Sequence, residues 1–277
     1  DSLIIGPGER YDIVVDFSDP ALAGQRIIME NIANDAPFAG NPRGSRAGTF
    51  TDRQTDRIMA FDVLVPFSSG TAAPFNPANF GPYTPIPGTN DARVRKVALF
   101  EGMDEYGRLQ PLLGTAEPAT DYAGNPISWP STQPYIDAGL AGQQMEGAIA
   151  WHSPTTENPK LDSTELWEIY NTTPDAHPVH LHLVHFDPVD RQKFKADVLP
   201  QPVVQHNGTQ GTAFRIANIK LQGKATPAGG VEAAPKDMVT AYPGEVTRIR
   251  AHFDKPGRYV WHCHILSHED HEMMRVL

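Results

Sequence analysis

The sequence predicts an all-β fold on three observations. Helical 3.6-residue periodicity is scarce. Glycine and proline are abundant, at 23 and 26 of 277 residues. Short runs that alternate apolar and polar side chains recur along the chain. The first is RYDIVVDF (10–17), with Tyr11, Ile13, Val15 and Phe17 on one face. RIIMENIA (26–33) and RIMAFDVLV (57–65) follow, the latter aligning Met59, Phe61, Val63 and Val65. Residues 66–88 hold six prolines and three glycines, so 66–92 reads as a linker. Strands resume with RKVALFEG (95–102). Residues 103–164 predict long loops, with DEYG (104–107) as a turn. Then come ELWEIYN (165–171), HPVHLHLVHF (177–186), MVTAY (238–242), VTRIRAHF (246–253) and RYVWHCHI (258–265). Residues 1–65 offer too few strands for a self-sufficient sandwich and read as the back part of a domain.

Composition narrows the function classes. The chain is 40% hydrophobic and 20% charged, enough for a packed core. Its net charge is −10, from 23 basic and 33 acidic residues, which leaves no surplus to neutralise phosphates and argues against nucleic acid. No apolar run reaches 18 residues, so no membrane span is predicted, and no signal peptide is visible. Cys263 is the only cysteine, so an internal disulfide is excluded.

Two histidine clusters carry the chemistry. One is HPVHLH, with His177, His180 and His182; the other is HCHILSHEDHEMM, with His262, Cys263, His264, His268 and Met273. Side chains alternate faces along a strand. Tyr259, Trp261 and Cys263 therefore share a face, which their aromatic character marks as the core side. His177 shares parity with Val179, Leu181 and Leu183. His180, His182, His262 and His264 fall on the opposite, outward faces. A turn or short helix after ILS would return His268 and Met273 over Cys263. The inward set is then two His, one Cys and one Met, the donor set of a trigonal copper–thiolate site with a weak axial thioether. Zinc is the rival, since it takes the same nitrogen and sulfur donors, but no Cys-x-x-Cys spacing is present. A lone buried cysteine is ordinarily an inert small hydrophobe. The coupling of an inward donor set to four outward imidazoles favours copper.

These motifs, with GRYVWHCHILSHEDHEMM and GERYDIVVDF, resemble the multicopper oxidases, and within them the three-domain bacterial laccases of the spore-coat and bilirubin-oxidase kind. The resemblance covers nearly the whole chain and is loosest over 103–160. It implies cupredoxin-like Greek-key β-sandwiches: 1–65 as the end of a middle domain, 66–92 as linker, and 93–277 as a complete C-terminal domain. It implies a type 1 copper held by His177, Cys263 and His268, with Met273 axial and Met274 the unused neighbour. His180 would serve the type 2 copper, His182 and His262 one type 3 copper, and His264 the other. Electrons would enter at His268 and leave through Cys263 and its flanking histidines. Glu269 would help deliver protons to oxygen, or else orient an imidazole. The implied function is oxidation of phenolic or similar small aromatic reductants coupled to reduction of dioxygen to water, in a secreted, periplasmic or spore- or cell-surface setting.

The family's trinuclear cluster takes eight histidines, and this chain supplies four. His152, His185, His206, His252 and His271 lack the spacing of the rest and suggest surface or hydrogen-bonding roles. The N-terminal cupredoxin domain of the same protein is therefore the expected partner. The alternative is a blue-copper electron-transfer or copper-binding module without oxygen reduction. Asp175, Asp187 and Asp270 could orient ligand imidazoles. NTT (171–173) and NGT (207–209) match glycosylation sequons, a short pattern that often occurs by chance.

Overall fold

A computed structural model describes residues 3–33, 37–40, 56–64, 75–88 and 91–277. The chain divides into two compact units. One is Arg10–Thr84; the other joins Leu3–Glu9 to Pro85–Leu277.

In the first unit, β1 (Arg26–Glu30) pairs antiparallel with β2 (Arg57–Asp62), from Arg26↔Asp62 to Glu30↔Arg57. The strand expected over 10–17 is not formed. Ile13, Val14 and Val15 remain 43–61% exposed, while the Phe17 ring sits 5.1 Å from that of Phe61. Alternation supplies a face preference, but a strand exists only where a neighbour accepts its ladder hydrogen bonds. Of the expected linker, 66–74, 89 and 90 lie outside the described residues, as does Val65. A 3-10 turn occupies Pro77–Phe80, with the Ala78 N–H donating to the Asn76 side chain.

The second unit is an all-β, cupredoxin-like sandwich. Its strands are β3 (Asp91–Met103), β4 (Leu109–Thr115), β5 (Gly147–Ile149), β6 (Ser163–Asn171), β7 (His177–Leu181), β8 (Phe186–Val204), β9 (Gln210–Pro227), β10 (Met238–Ala241), β11 (Glu245–Phe253), β12 (Val260–Cys263) and β13 (Met274–Val276). Two short helices interrupt them, α1 (Gln133–Asp137) and α2 (Leu266–Asp270). One sheet runs β5-β4-β3-β6-β11-β8-β9 and the other β10-β7-β12-β13. Between them lie Val97, Leu99, Trp167, Ile169, Ile249 and Phe253 from the larger sheet, facing Val179, Leu181, Val239, Trp261 and Cys263 from the smaller. Each fully buried large side chain contributes about 2 kcal/mol. The burial of Trp167, Trp261, Leu181 and Ile169 therefore holds the sheets face to face. Polar residues on that inner face are paired: Arg95 and Glu165 are each 3% exposed and bond at 2.7 Å, and the Trp167 indole donates to Glu165 at 3.0 Å.

Two features depart from the expected layout. Residues 103–164 are not loop throughout. DEYG does turn, with Gly107 N–H donating to Asp104 O, but β4, α1 and β5 follow. Trp129, Tyr135, Leu140, Met145 and Ile149 build a satellite core there with Ala119 and Val204. The long β8–β9 hairpin, paired from Asp190↔Pro227 to Val204↔Gln210, had no counterpart among the expected strands. Pro188, Pro200 and Pro202 disguise β8. A proline is tolerated where no ladder N–H is required: Pro200 and Pro202 lie beyond Lys193, the last partner of β8 on its β11 side, and Pro188 sits at the irregularity of that ladder between Arg248 and Ile249.

Candidate metal centre

The smaller sheet positions the site. Across β7 and β12, Cys263 lies opposite Val179 and His262 opposite His180. Cross-strand partners project to the same face, so the thiol joins the buried side and the two imidazoles the other. Cys263 and His177 are fully buried, as is Trp261. The His177 ring comes from the start of β7, two residues before Val179, and its Nδ1 stands 3.6 Å from Cys263 Sγ.

After Cys263 the chain leaves the sheet, and α2 begins at Leu266. This brings His268 Nδ1 to 4.0 Å from Sγ and 3.4 Å from His177 Nδ1. The return is tied down by Met273 N–H donating to His268 O at 2.9 Å and Cys263 N–H donating to Met273 O at 3.1 Å. Glu272, at φ +79°, makes the reversal, and its carboxylate accepts the Trp151 N–H at 2.8 Å. A non-glycine residue in that region costs roughly 1–2 kcal/mol, so neighbouring contacts hold it there. Met273 is fully buried in the cluster that contains Cys263, whereas Met274 pairs with His262 in the ladder and lines a surface groove beside Trp151 and Leu266.

The donor atoms of His177, Cys263 and His268 lie within 4.8 Å of one another, and those of His180, His182 and His262 form a second such group. In the second, His182 Nε2 and His262 Nε2 are 3.0 Å apart, and His180 Nδ1 meets Asp237 O at 2.7 Å, turning its Nε2 outward. His262 Nδ1 lies 3.1 Å from Cys263 O and 3.3 Å from Glu269 Oε2. His264 stands beside this group rather than in it, with ring centroids 5.4 Å from His262 and 6.0 Å from His180. Its buried Nδ1 has no hydrogen-bond partner among the described residues. Two nearby groups of neutral donors and an orphaned ring nitrogen suit bound metal, and the thiolate with paired imidazoles suits copper.

Burial sets the protonation of the site. It pushes the His177 imidazole down to about 3, with His268 adding to the effect. It pushes the Cys263 thiol up to about 12. His180, His182, His262 and His268 are all lowered, chiefly by burial. Without metal the site therefore holds neutral imidazoles beside a neutral thiol, and metal binding displaces the thiol proton. The linkage gives a pH window. Below 6.5, the ordinary histidine value, the unfolded chain binds protons that folded His177 refuses, down to about 3. Between 9.0 and about 12 the unfolded thiol ionises while the folded one does not. Stability of the copper-free protein is thus expected to peak between these ranges. It should fall on the acid side by on the order of 1 kcal/mol per pH unit from His177 alone. Denaturant titration from pH 4 to 10 measures this, and a flat acid limb would contradict it.

Several contacts around the donors were not legible in the sequence. Thr173 Oγ1 meets His177 Nε2 at 2.7 Å, and the half-buried Glu101 carboxylate lies 3.9 Å from the same nitrogen. The turn 6–9 covers His264: Gly8 has φ +77°, and a Cβ there would come within 2.5 Å of the imidazole Cδ2. Glu9 anchors that turn, accepting the Gly6 N–H and pairing with buried Lys236 at 2.8 Å. The segment GERYDIVVDF contains this glutamate, but no spacing rule links it to a histidine some 255 residues later.

Of the remaining sequence candidates, Asp175 accepts the Asn171 amide through its backbone carbonyl, and its charge opposes the lowering of His268. Asp187 receives the Ile86 N–H, and Asp270 is exposed on α2. His152 and His206 contact each other edge to face, His252 meets Thr164, and His271 lies 3.9 Å from Asp104; His185 is exposed. None of these five histidines joins either donor group. The NTT sequon is closed to modification because Asn171 is fully buried, while Asn207 is exposed and donates to Glu105.

The family signature described as Multicopper oxidase matches residues 130–277, more than half of the chain and all of its clustered histidines. The chain belongs to the multicopper oxidase family. It is 33% identical to a laccase of Bacillus stratosphericus over 282 residues, covering 99% of this chain and 42% of that protein. A laccase of Bacillus subtilis (strain 168) is also 33% identical, over 276 residues, with the same coverage of 99% and 42%. This multicopper oxidase chain thus spans about two-fifths of the length of those relatives. Among solved structures, a multicopper oxidase from Campylobacter jejuni, described as a metallo-oxidase, aligns at a TM-score of 0.46 with 17% identity, covering 92% of this chain and 41% of that one. No described helix is long and apolar enough to cross a membrane.

Met273, buried in the same cluster as Cys263, is the thioether expected from the sequence to lie axial to copper, and this carries a testable effect. Met273→Leu should keep the blue absorption and raise the reduction potential, because a weak axial donor favours the oxidised metal. Redox titration reads this, and an unchanged potential would contradict the expected axial role of Met273.

Proposed function

We propose that this chain is the C-terminal portion of a laccase-like oxidase: the end of a middle cupredoxin domain, a linker, and a C-terminal cupredoxin domain. It takes single electrons from phenolic or similar small aromatic reductants and supports reduction of dioxygen to water. The observation that carries this reading is the division of donors by one strand, with His177, Cys263 and His268 gathered on the buried side of β12 and His180, His182 and His262 gathered on the other. His177, Cys263 and His268, with Met273, would hold one copper. His180, His182, His262 and His264 would provide half the ligands of a cluster completed by histidines of an N-terminal cupredoxin domain of the same protein. Bound copper would supply reversible one-electron chemistry at the first site and reduction of dioxygen at the second.

The chain's own residues divide the remaining work. His268 is half-buried, so its ring edge is the part of the inward group that reaches a reductant. Trp151 and Leu266, both exposed, offer apolar surface beside α2. Cys263 and its flanking His262 and His264 form one covalent stretch, which gives electrons a short bonded route between faces. Glu269 is half-buried, lines the same groove as Asp270, and lies 3.3 Å from His262 Nδ1. That position suits it to hold the His262 ring and to pass protons inward from solvent.

The test uses the whole protein with copper. His264→Ala should spare the intense blue absorption and abolish dioxygen uptake with a phenolic dye. Loss of colour in that variant would refute the division of faces. Blue colour without dioxygen uptake in the unaltered whole protein would identify an electron-transfer module, and colourless binding of zinc in preference to copper would reject both readings.

A further inference from the structure

The loop between β6 and β7 is organised around a side chain that no metal-ligand pattern includes. Asn171 is fully buried, and its hydrogen-bonding capacity is filled. Its amide Nδ2 donates to Asp175 O at 2.7 Å and to Ala241 O at 3.0 Å. Its Oδ1 accepts from Thr173 N–H and from Thr173 Oγ1–H, both at 2.9 Å. An amide with both donors and both acceptor positions used has one orientation, because flipping it would set donor against donor. Ala241 is the β10 partner of His177, so the same amide ties the loop to the strand pair that carries the imidazole.

The consequence falls on Thr173. Its hydroxyl has two oxygen acceptors for its single proton, Asn171 Oδ1 at 2.9 Å and Asp175 O at 3.0 Å, and itself accepts the Asp175 N–H at 3.3 Å. With its proton given to either oxygen, the hydroxyl offers a lone pair to His177 Nε2, 2.7 Å away. Glu101 Oε1, at 3.9 Å, is beyond hydrogen-bonding range of that nitrogen. We propose that Asn171 and Thr173 are positioning residues that lock His177 in the Nε2–H tautomer, presenting the bare Nδ1 lone pair to the space shared with Cys263 Sγ and His268 Nδ1.

The inference rests on the reading of the inward group as a metal site, but its first test needs no metal. In the copper-free intact protein, nitrogen-15 NMR of the imidazoles should show His177 as the Nε2–H tautomer; an Nδ1–H signal overturns the proposal. In the copper-loaded protein, Thr173→Val should weaken copper binding at this site by about 10–100-fold and raise its reduction potential, since a ring that donates a hydrogen bond is the more basic ligand. Thr173→Ser should restore both. Unchanged affinity and potential in the valine variant overturn the proposal, and a lowered melting temperature with neither change assigns the contact to folding alone, which also overturns it. If the valine variant does not fold, the NMR result on the unaltered protein decides. If the protein takes up no copper at these residues, the metal reading fails, and the tautomer measurement still stands by itself.

Discussion

Cys263→Ser is expected to abolish the intense blue absorption of the copper-loaded protein and to weaken copper binding at the inward site by more than roughly 100-fold, beyond the loss typical of an outer-shell change. A thiolate is a soft, polarizable donor whose bond to copper gives both the colour and the trigonal preference; a serine hydroxyl is hard and stays protonated. The folded sandwich should survive. The sulfur forms no disulfide, and the smaller hydroxyl overpacks nothing in the space it leaves. Copper held at the outward imidazoles should remain, since none depends on the sulfur. Absorption spectroscopy with metal analysis checks this, and a variant that stays blue would show that Cys263 is not the thiolate donor.

The second large effect is on stability. Arg275 is 1% exposed and 1% of the Glu157 side chain is accessible, with Arg275 Nε 3.6 Å from Glu157 Oε2, a charge contact longer than a hydrogen bond. The guanidinium donates to the carbonyls of Ala150 at 3.0 Å and Pro154 at 2.7 Å, and Glu157 receives the Thr156 hydroxyl and, at 3.4 Å, the Trp261 indole N–H. Burial pulls the Arg275 guanidinium below its ordinary value, while the Glu157 charge opposes that pull. Glu157→Ala leaves a buried cation without its counter-charge. The expected cost is about 3–5 kcal/mol, or roughly 10–15 °C in melting temperature for a unit of this size. The double variant Glu157→Leu/Arg275→Met should recover most of the loss, because a buried ion pair is worth little more than apolar groups of its volume. Thermal denaturation of the single and double variants measures both. A single variant that melts like the parent would mean that water reaches the guanidinium.

Different parts of the chain were unequally legible. The grouping of His177 with Cys263 and His268, and of His180 with His182 and His262, could be read because most members are close in sequence and the strand period is two: 177, 180 and 182 fall on β7 or just past it, and 262, 263 and 264 straddle one pleat. The same rule misled at 10–17, where alternation is strong but no strand forms. It failed for β8, whose three prolines and half-exposed faces blur the period. Residues 103–164 looked like loop because their turns are rich in Gly and Pro, yet Trp129, Tyr135 and Met145 find a small core of their own.

Fold class, family and the gathering of His177, Cys263 and His268 apart from His180, His182 and His262 all follow from strand parity and motif spacing, which are local properties of a chain. Packing supplied what surrounds these side chains: Thr173 on the outer nitrogen of His177, Gly8 against His264, and the choice of His262 as the imidazole that Glu269 meets. These contacts depend on how strands and loops distant in sequence pack together. Packing is decided by burial and hydrogen-bond satisfaction summed over the whole sandwich, which no local pattern encodes.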